Sequence, residues 1–172
     1  MRGRALVAAT ALLLMACHSS PPDPYAAYRQ TESELVPGSF DWEIQPVSDD
    51  FRAAIDPASA YPKVYAAGRE PDVTVVLGQV FNRVQTGPGP PAWIFISPDT
   101  CFATAKGDLV SPGRTGNGCA QANLYVQGVD ATTGESLGGF SAYMPPDGWP
   151  PARAGDPPVV TVTTQLGTTR LH

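Results

Sequence analysis

The chain has 172 residues, the length of one domain with an appended segment, which leaves no room for several independent cores. Hydrophobic residues make up 42% of it and charged residues 16%, with 19 prolines and 17 glycines, a composition that predicts a turn-rich body joined to a poorly packing stretch. The formal charge is −5 and the two lysines, Lys63 and Lys106, stand apart, so the clustered cations that displace counterions from a duplex are missing and no nucleic-acid partner is expected.

Arg2 and Arg4 open the chain and residues 5–15 form an apolar run, the order of a secretory signal. As a helix that run would rise about 16 Å, against the roughly 30 Å of a bilayer's hydrocarbon core, so it is not read as a membrane span. It closes on Leu14-Met15-Ala16-Cys17, which resembles the lipobox of bacterial lipoproteins: an aliphatic residue, a second residue for which Met15 is less usual, a small residue, then cysteine. The resemblance implies cleavage after residue 16, diacylation of the Cys17 sulfur with palmitate-type chains and, in some bacteria, acylation of its amine. Several acyl chains hold a protein on a membrane where one does not. On that reading the protein is exported to the bacterial cell envelope and its membrane partner is reached through Cys17, with the leaflet left open. An ordinary signal peptide whose cut happens to precede a cysteine is the alternative.

The expected organisation is a signal peptide over 1–16, a lipidated, flexible Pro/Ser-rich tether over 17–37 and a single globular domain over 38–172. Within the tether, Tyr25 and Tyr28 read either as an exposed pair or as a short turn that docks on the body. In the body, Phe40, Trp42 and Ile44 alternate with polar residues up to Pro46, a half-buried strand. Ser48 or Asp49 is placed to cap a short helix through Ile55, and Asp56-Pro57 offers a second N-cap with proline at the first helical position.

Residues 72–83 form the clearest strand, with Val73, Val75, Leu77 and Phe81 on one face and Val76 and Val80 on the other. After the turn at 87–91, Trp93, Ile94, Phe95 and Ile96 give a strand apolar on both faces. Residues 123–129 and 136–143 read as two strands joined by a loop in which Asp130 accepts from turn amides and Gly134 takes a positive φ. The β-branched run 159–165 suits an edge strand. The fold class expected is α+β, an antiparallel sheet of four to six strands with one or two short helices, the alternative being an all-β sandwich.

With Cys17 acylated, Cys101 and Cys119 have only each other, and export permits a disulfide between them. In the chain-entropy view such a link removes about 3 kcal/mol of loop freedom. A metal site is disfavoured because the only histidines, His18 and His172, lie at the anchor and at the last position. The same placement denies the body a serine-histidine-acid triad, and there is no phosphate-binding glycine motif. No catalytic residue and no cofactor are expected. The only enzymatic route is a carboxylate pair, Asp41 with Glu43 or Asp130 with Glu135, and solvated strand and turn acids are the ordinary explanation of both. Trp42 and Trp93 look inward. Trp149, in a proline-rich loop, is the candidate ligand contact, its alternative role being a loop plug.

Residues 126–137, VQGVDATTGESL, resemble the closing hairpin of PepSY-type domains, and a short helix followed by antiparallel strands fits that family's order. The resemblance implies a small non-catalytic module with inhibitory or binding roles in the envelope. It does not account for the loop 101–119. The expected function is therefore a membrane-anchored, non-catalytic module that binds an envelope protein, with a small-ligand or glycan binder as the alternative.

Overall fold

The computed structural model describes residues 21–37, 41–65, 67–82, 84, 87–98, 102–103, 109–110, 124–142, 149 and 151–172. The lipobox with Cys17, and both Cys101 and Cys119, lie outside them. In chain order the elements are β1 (Glu34–Leu35), β2 (Trp42–Gln45), α1 (Pro57–Ala60), β3 (Asp72–Asn82), β4 (Pro91–Pro98), β5 (Phe102–Ala103), β6 (Leu109–Val110), β7 (Leu124–Asp130), β8 (Ser136–Ala142), β9 (Val160–Thr164) and β10 (Gly167–Leu171). Single 3-10 turns lie at Ala26–Tyr28 and Tyr61–Lys63. The main sheet has eight strands, in the order β1-β2-β3-β4-β7-β8 with β10 and then β9 branching from β3, and β5 pairs with β6 separately. It is mostly antiparallel with one short helix, so the expected class holds in outline while the expected four to six strands are corrected to eight. The extra strands are the two-residue β1 and the hairpin partner β10, whose GTTRL sequence lacks the apolar alternation that signals a strand.

β3 organises the sheet. One edge pairs with β4 from Thr74↔Ile96 to Gln79↔Pro91. The other is completed by three separate segments. β10 pairs in parallel with its start, where the Val75 amide donates to the His172 carbonyl at 2.8 Å. The Gln30 amide donates to the Leu77 carbonyl at 3.0 Å, and β2 takes the far end from Gln79 to Asn82. Val75 to Gly78 are buried, where backbone groups need partners; these three segments supply them along this edge, together with the Arg153 guanidinium, which donates to the Val75 carbonyl at 3.3 Å.

Alternation along the strands divides the core in two. One side gathers Val73, Val75, Leu77, Trp93, Phe95 and Val129 beneath Tyr28, Tyr61 and Leu171, and the other gathers Val36, Ile44, Val76, Ile94, Ile96 and Val126. Trp93 and Phe95 on one face and Ile94 and Ile96 on the other are all at most 2% exposed, so β4 is apolar on both faces as its sequence predicts. The Trp93 indole donates to the Ile55 carbonyl at 2.9 Å, satisfying its one polar atom in the core.

Two expectations are corrected. No helix forms over 48–55, because its backbone is claimed elsewhere. Arg29 donates to the Ser48 and Phe51 carbonyls, and the Ala54 and Ile55 amides donate to the Ala131 carbonyl. The second expected helix does form, at Pro57–Ala60, where the Asp56 side chain accepts from the Ser59 amide.

The tether expected over 17–37 is not flexible across its described part, 21–37. Tyr28 is 2% exposed and Val36 is fully buried. Tyr25 and Tyr28 pack edge-on against Trp93, at 5.2 and 5.5 Å between ring centroids. Proline and serine content thus marked irregular backbone rather than freedom.

Leu171 is fully buried where β10 meets β3, so Leu171→Ala is expected to cost about 3 kcal/mol in urea unfolding, and a loss under about 1 kcal/mol would contradict this packing. Burial raises the Asp23 pKa, but the Tyr25 amide and the Arg29 guanidinium outweigh it and hold the carboxyl below its ordinary value. Its contribution is then complete above about pH 5 and lost as pH falls through the lowered pKa. Asp23→Asn should flatten that part of the acid profile, and parallel profiles for the two proteins would refute the assignment.

Candidate functional site

The residues singled out from sequence do not converge. Asp130 is occupied in its hairpin: its carboxylate accepts from the Thr132 and Thr133 amides at 2.7 and 2.8 Å, and Gly134 has a φ of +77°, as the loop sequence predicts. Glu135 is exposed at the start of the return strand. Glu43 accepts from the Gln45 side-chain amide at 3.0 Å. Trp149 is half-buried against the second core, and its indole donates to Glu34, which also accepts from the Ala152 amide. Its ring therefore lies on the body, beside β1. Among the described residues no three His, Cys, Asp or Glu side chains are grouped to hold a metal ion.

Among the described residues, two concave surfaces are built from side chains. Trp42 on β2 and Phe140 on β8 stack, 4.7 Å between centroids and 12° between planes, although three strands separate β2 from β8. In a flat sheet these strands would lie about 19 Å apart, so the sheet curls until its two sides meet. Between them lies a cavity of about 360 Å³ lined by Trp42, Val80, Pro90, Leu137 and Phe140 together with backbone glycines. A bulge opposite Gly128 and Val129 lets the Leu137 side chain pack over Gly128, and Gly138 takes the φ of +89° that the bulge requires.

The second surface is a groove of about 460 Å³ between the loop after α1 and the β9–β10 turn, lined by Pro62, Val64, Tyr65, Ala67, Thr163 and Leu166 among others. Its two walls are built firmly. Buried Gln127 accepts from the Tyr65 amide at 2.7 Å and donates to the Lys63 carbonyl at 3.4 Å. Gly68, at φ +82°, lies so close to Thr164 that a Cβ there would stand 2.0 Å from the hydroxyl. The Tyr61 hydroxyl accepts from the Gly68 amide and meets Thr169, which donates to the Glu70 carbonyl. On this rigid frame Tyr65 is 64% and Leu166 56% exposed.

Beside the groove runs β9, the last strand of its branch. The Arg170 and His172 amides point to β3, so the backbone groups of the alternate residues Thr169 and Leu171 face β9, where they are opposite Val162 and Val160. By the same alternation the backbone groups of Thr161 and Thr163 point away from the sheet. The sequence predicted an edge strand here. It gave no sign of the groove, whose walls come from segments about a hundred residues apart and whose aromatic, Tyr65, carries no motif.

Comparison with known proteins adds no relative: no family model, no curated protein and no solved structure matches the chain. If Asp130 acts as the organiser of its turn, Asp130→Ala should lower stability by about 1 kcal/mol. An unchanged urea midpoint would show the carboxylate to be dispensable there.

Proposed function

We propose that the protein is a lipid-anchored, non-catalytic binding module of the bacterial envelope and that its partner is another protein. One observation carries this reading: a groove with exposed Tyr65 and Leu166 lies beside the outer edge of β9, unpaired among the described residues, on a frame fixed by Gln127, Tyr61 and Gly68. Exposed apolar side chains grouped on rigid backbone are the ordinary makings of a protein interface. The lipobox resemblance supplies the anchor at Cys17. The PepSY likeness agrees with a binding role, but the reading does not depend on it.

A second reading, a small-ligand binder, is favoured by the cavity at Trp42 and Phe140, whose apolar walls and size suit an uncharged ring. Trp149 plays no part in that version, since it lies against Glu34.

The two readings separate experimentally. A photoreactive phenylalanine analogue placed at Tyr65 of the full-length protein, in native envelope, is expected to crosslink a discrete partner, whereas the same group at Val84, 77% exposed near the far end of β3, is not. Equal labelling from both positions, or none from Tyr65, would overturn the protein-binding reading. A change in Trp42 emission with an uncharged aromatic ligand, abolished by Phe140→Ala, would establish the second.

A further inference from the structure

Resting on the protein-binding reading, we propose that the partner enters as an extended strand on the outer edge of β9, which pairs with no described strand but β10, placing an apolar side chain in the Tyr65 groove and an acidic side chain beside Lys63.

The backbone argues for a strand. Thr161 and Thr163 direct their N–H and C=O groups outward, while Val160 and Val162 face β10. Proteins ordinarily blunt such an edge with charge, proline, a bulge or a covering segment. The five residues of β9, VTVTT, contain no charge and no proline, and their register with β10 is unbroken from Val160 to Thr164. The other long edge, β8, has a bulge at Leu137 and a positive-φ glycine after it, which spoil its outer row of hydrogen-bonding groups. Among the described residues β9 is thus the regular, uncharged edge. An added strand takes affinity from such main-chain groups and specificity from a pocket at alternate positions.

The groove supplies that pocket. Thr163 and Thr164 of β9 line it together with Val64 and Tyr65, so it adjoins the strand with which the partner would pair. Charge completes the description of the partner. Lys63 is exposed at the start of the run that carries Val64, Tyr65 and Ala67, and no acid lines the groove. In a chain of net charge −5, Lys63 is the cation beside the groove. It suits an acidic residue in the incoming segment and disfavours a second copy of the protein, whose own β9 carries none.

Positions 161 and 163 allow the mode to be tested without removing a backbone bond to β10, although Thr163→Pro also removes the side-chain bond to Thr168. Proline there removes an outward N–H and leaves the ladder to β10 intact. The probe is a fluorescein-labelled peptide of alternating threonine and valine with a central leucine and flanking glutamates, titrated by anisotropy against the full-length protein in detergent.

Saturable binding is expected, about tenfold weaker for Thr163→Pro and for a peptide N-methylated on alternate residues, and about fivefold weaker when lysines replace the glutamates. Urea unfolding confirms that the variant is folded. Tyr65→Ala should weaken the peptide without altering the main-chain contacts. No saturable binding, or equal binding by the N-methylated peptide and by folded Thr163→Pro, would overturn strand addition.

The Tyr65 crosslink distinguishes the two levels of the proposal. If it persists undiminished in a Thr161→Pro, Thr163→Pro protein, the strand mode falls and the protein-binding reading stands. If the unmodified sequence gives no such crosslink, the reading itself falls.

Discussion

The fold depends on completing one edge of β3. That strand runs for eleven residues through the middle of the molecule with core on both faces, and an unpaired amide or carbonyl there would cost a few kcal/mol. No single neighbour covers its length. The protein fills the edge in sequence with the chain end at residues 170–172, the N-terminal strap at Gln30, and β2. Segments far apart in sequence are thereby made interdependent. The strap is held in turn by Arg29, whose guanidinium joins Asp23 to the carbonyls at 48 and 51, and by amides from Thr31 and Ala154.

The same edge also sets the place of β9. β10 pairs in parallel with only the start of β3, and the strap occupies the next position on that edge. The chain before β10 folds back as β9, and β9 becomes the last strand of a branch rather than a member of a closed sheet. Its backbone groups at Thr161 and Thr163 point away from β10. Along its other edge the sheet curls instead, until Trp42 and Phe140 stack, with glycines at 128 and 138 leaving room on the inner surface. The same sheet thus carries one edge that is curled and bulged and one that is straight and open.

Much of this was legible in the sequence. The alternating valines of β3, the doubly apolar β4, the Asp130-to-Gly134 turn and the Asp56-Pro57 cap all rest on local rules, and each appears where its residues place it. The errors share a different cause. Ser48 and Asp49 satisfy a helix rule locally, but Arg29 and Ala131 take the backbone groups that a helix would need. The strap at 21–37 looked like tether because its three deeply buried residues, Tyr28, Gln30 and Val36, are too few and too irregularly spaced to read as a periodic pattern. β10 was missed because a Gly-Thr-Thr-Arg strand is held by its neighbours. The candidate site was half visible: the uncharged β-branched run marked β9 as an edge, while the groove depends on Gln127 and Gly68 meeting residues distant in sequence.

The account therefore turns on a pattern of alternation within β9. Residue-resolved amide hydrogen exchange on the full-length protein, without any partner, reads it directly. Slow exchange at Val160 and Val162 with fast exchange at Thr161 and Thr163 is the predicted result. Protection at all four amides would mean that the edge is already covered, and protection at none would mean that β9 is not held by β10, either of which contradicts the account.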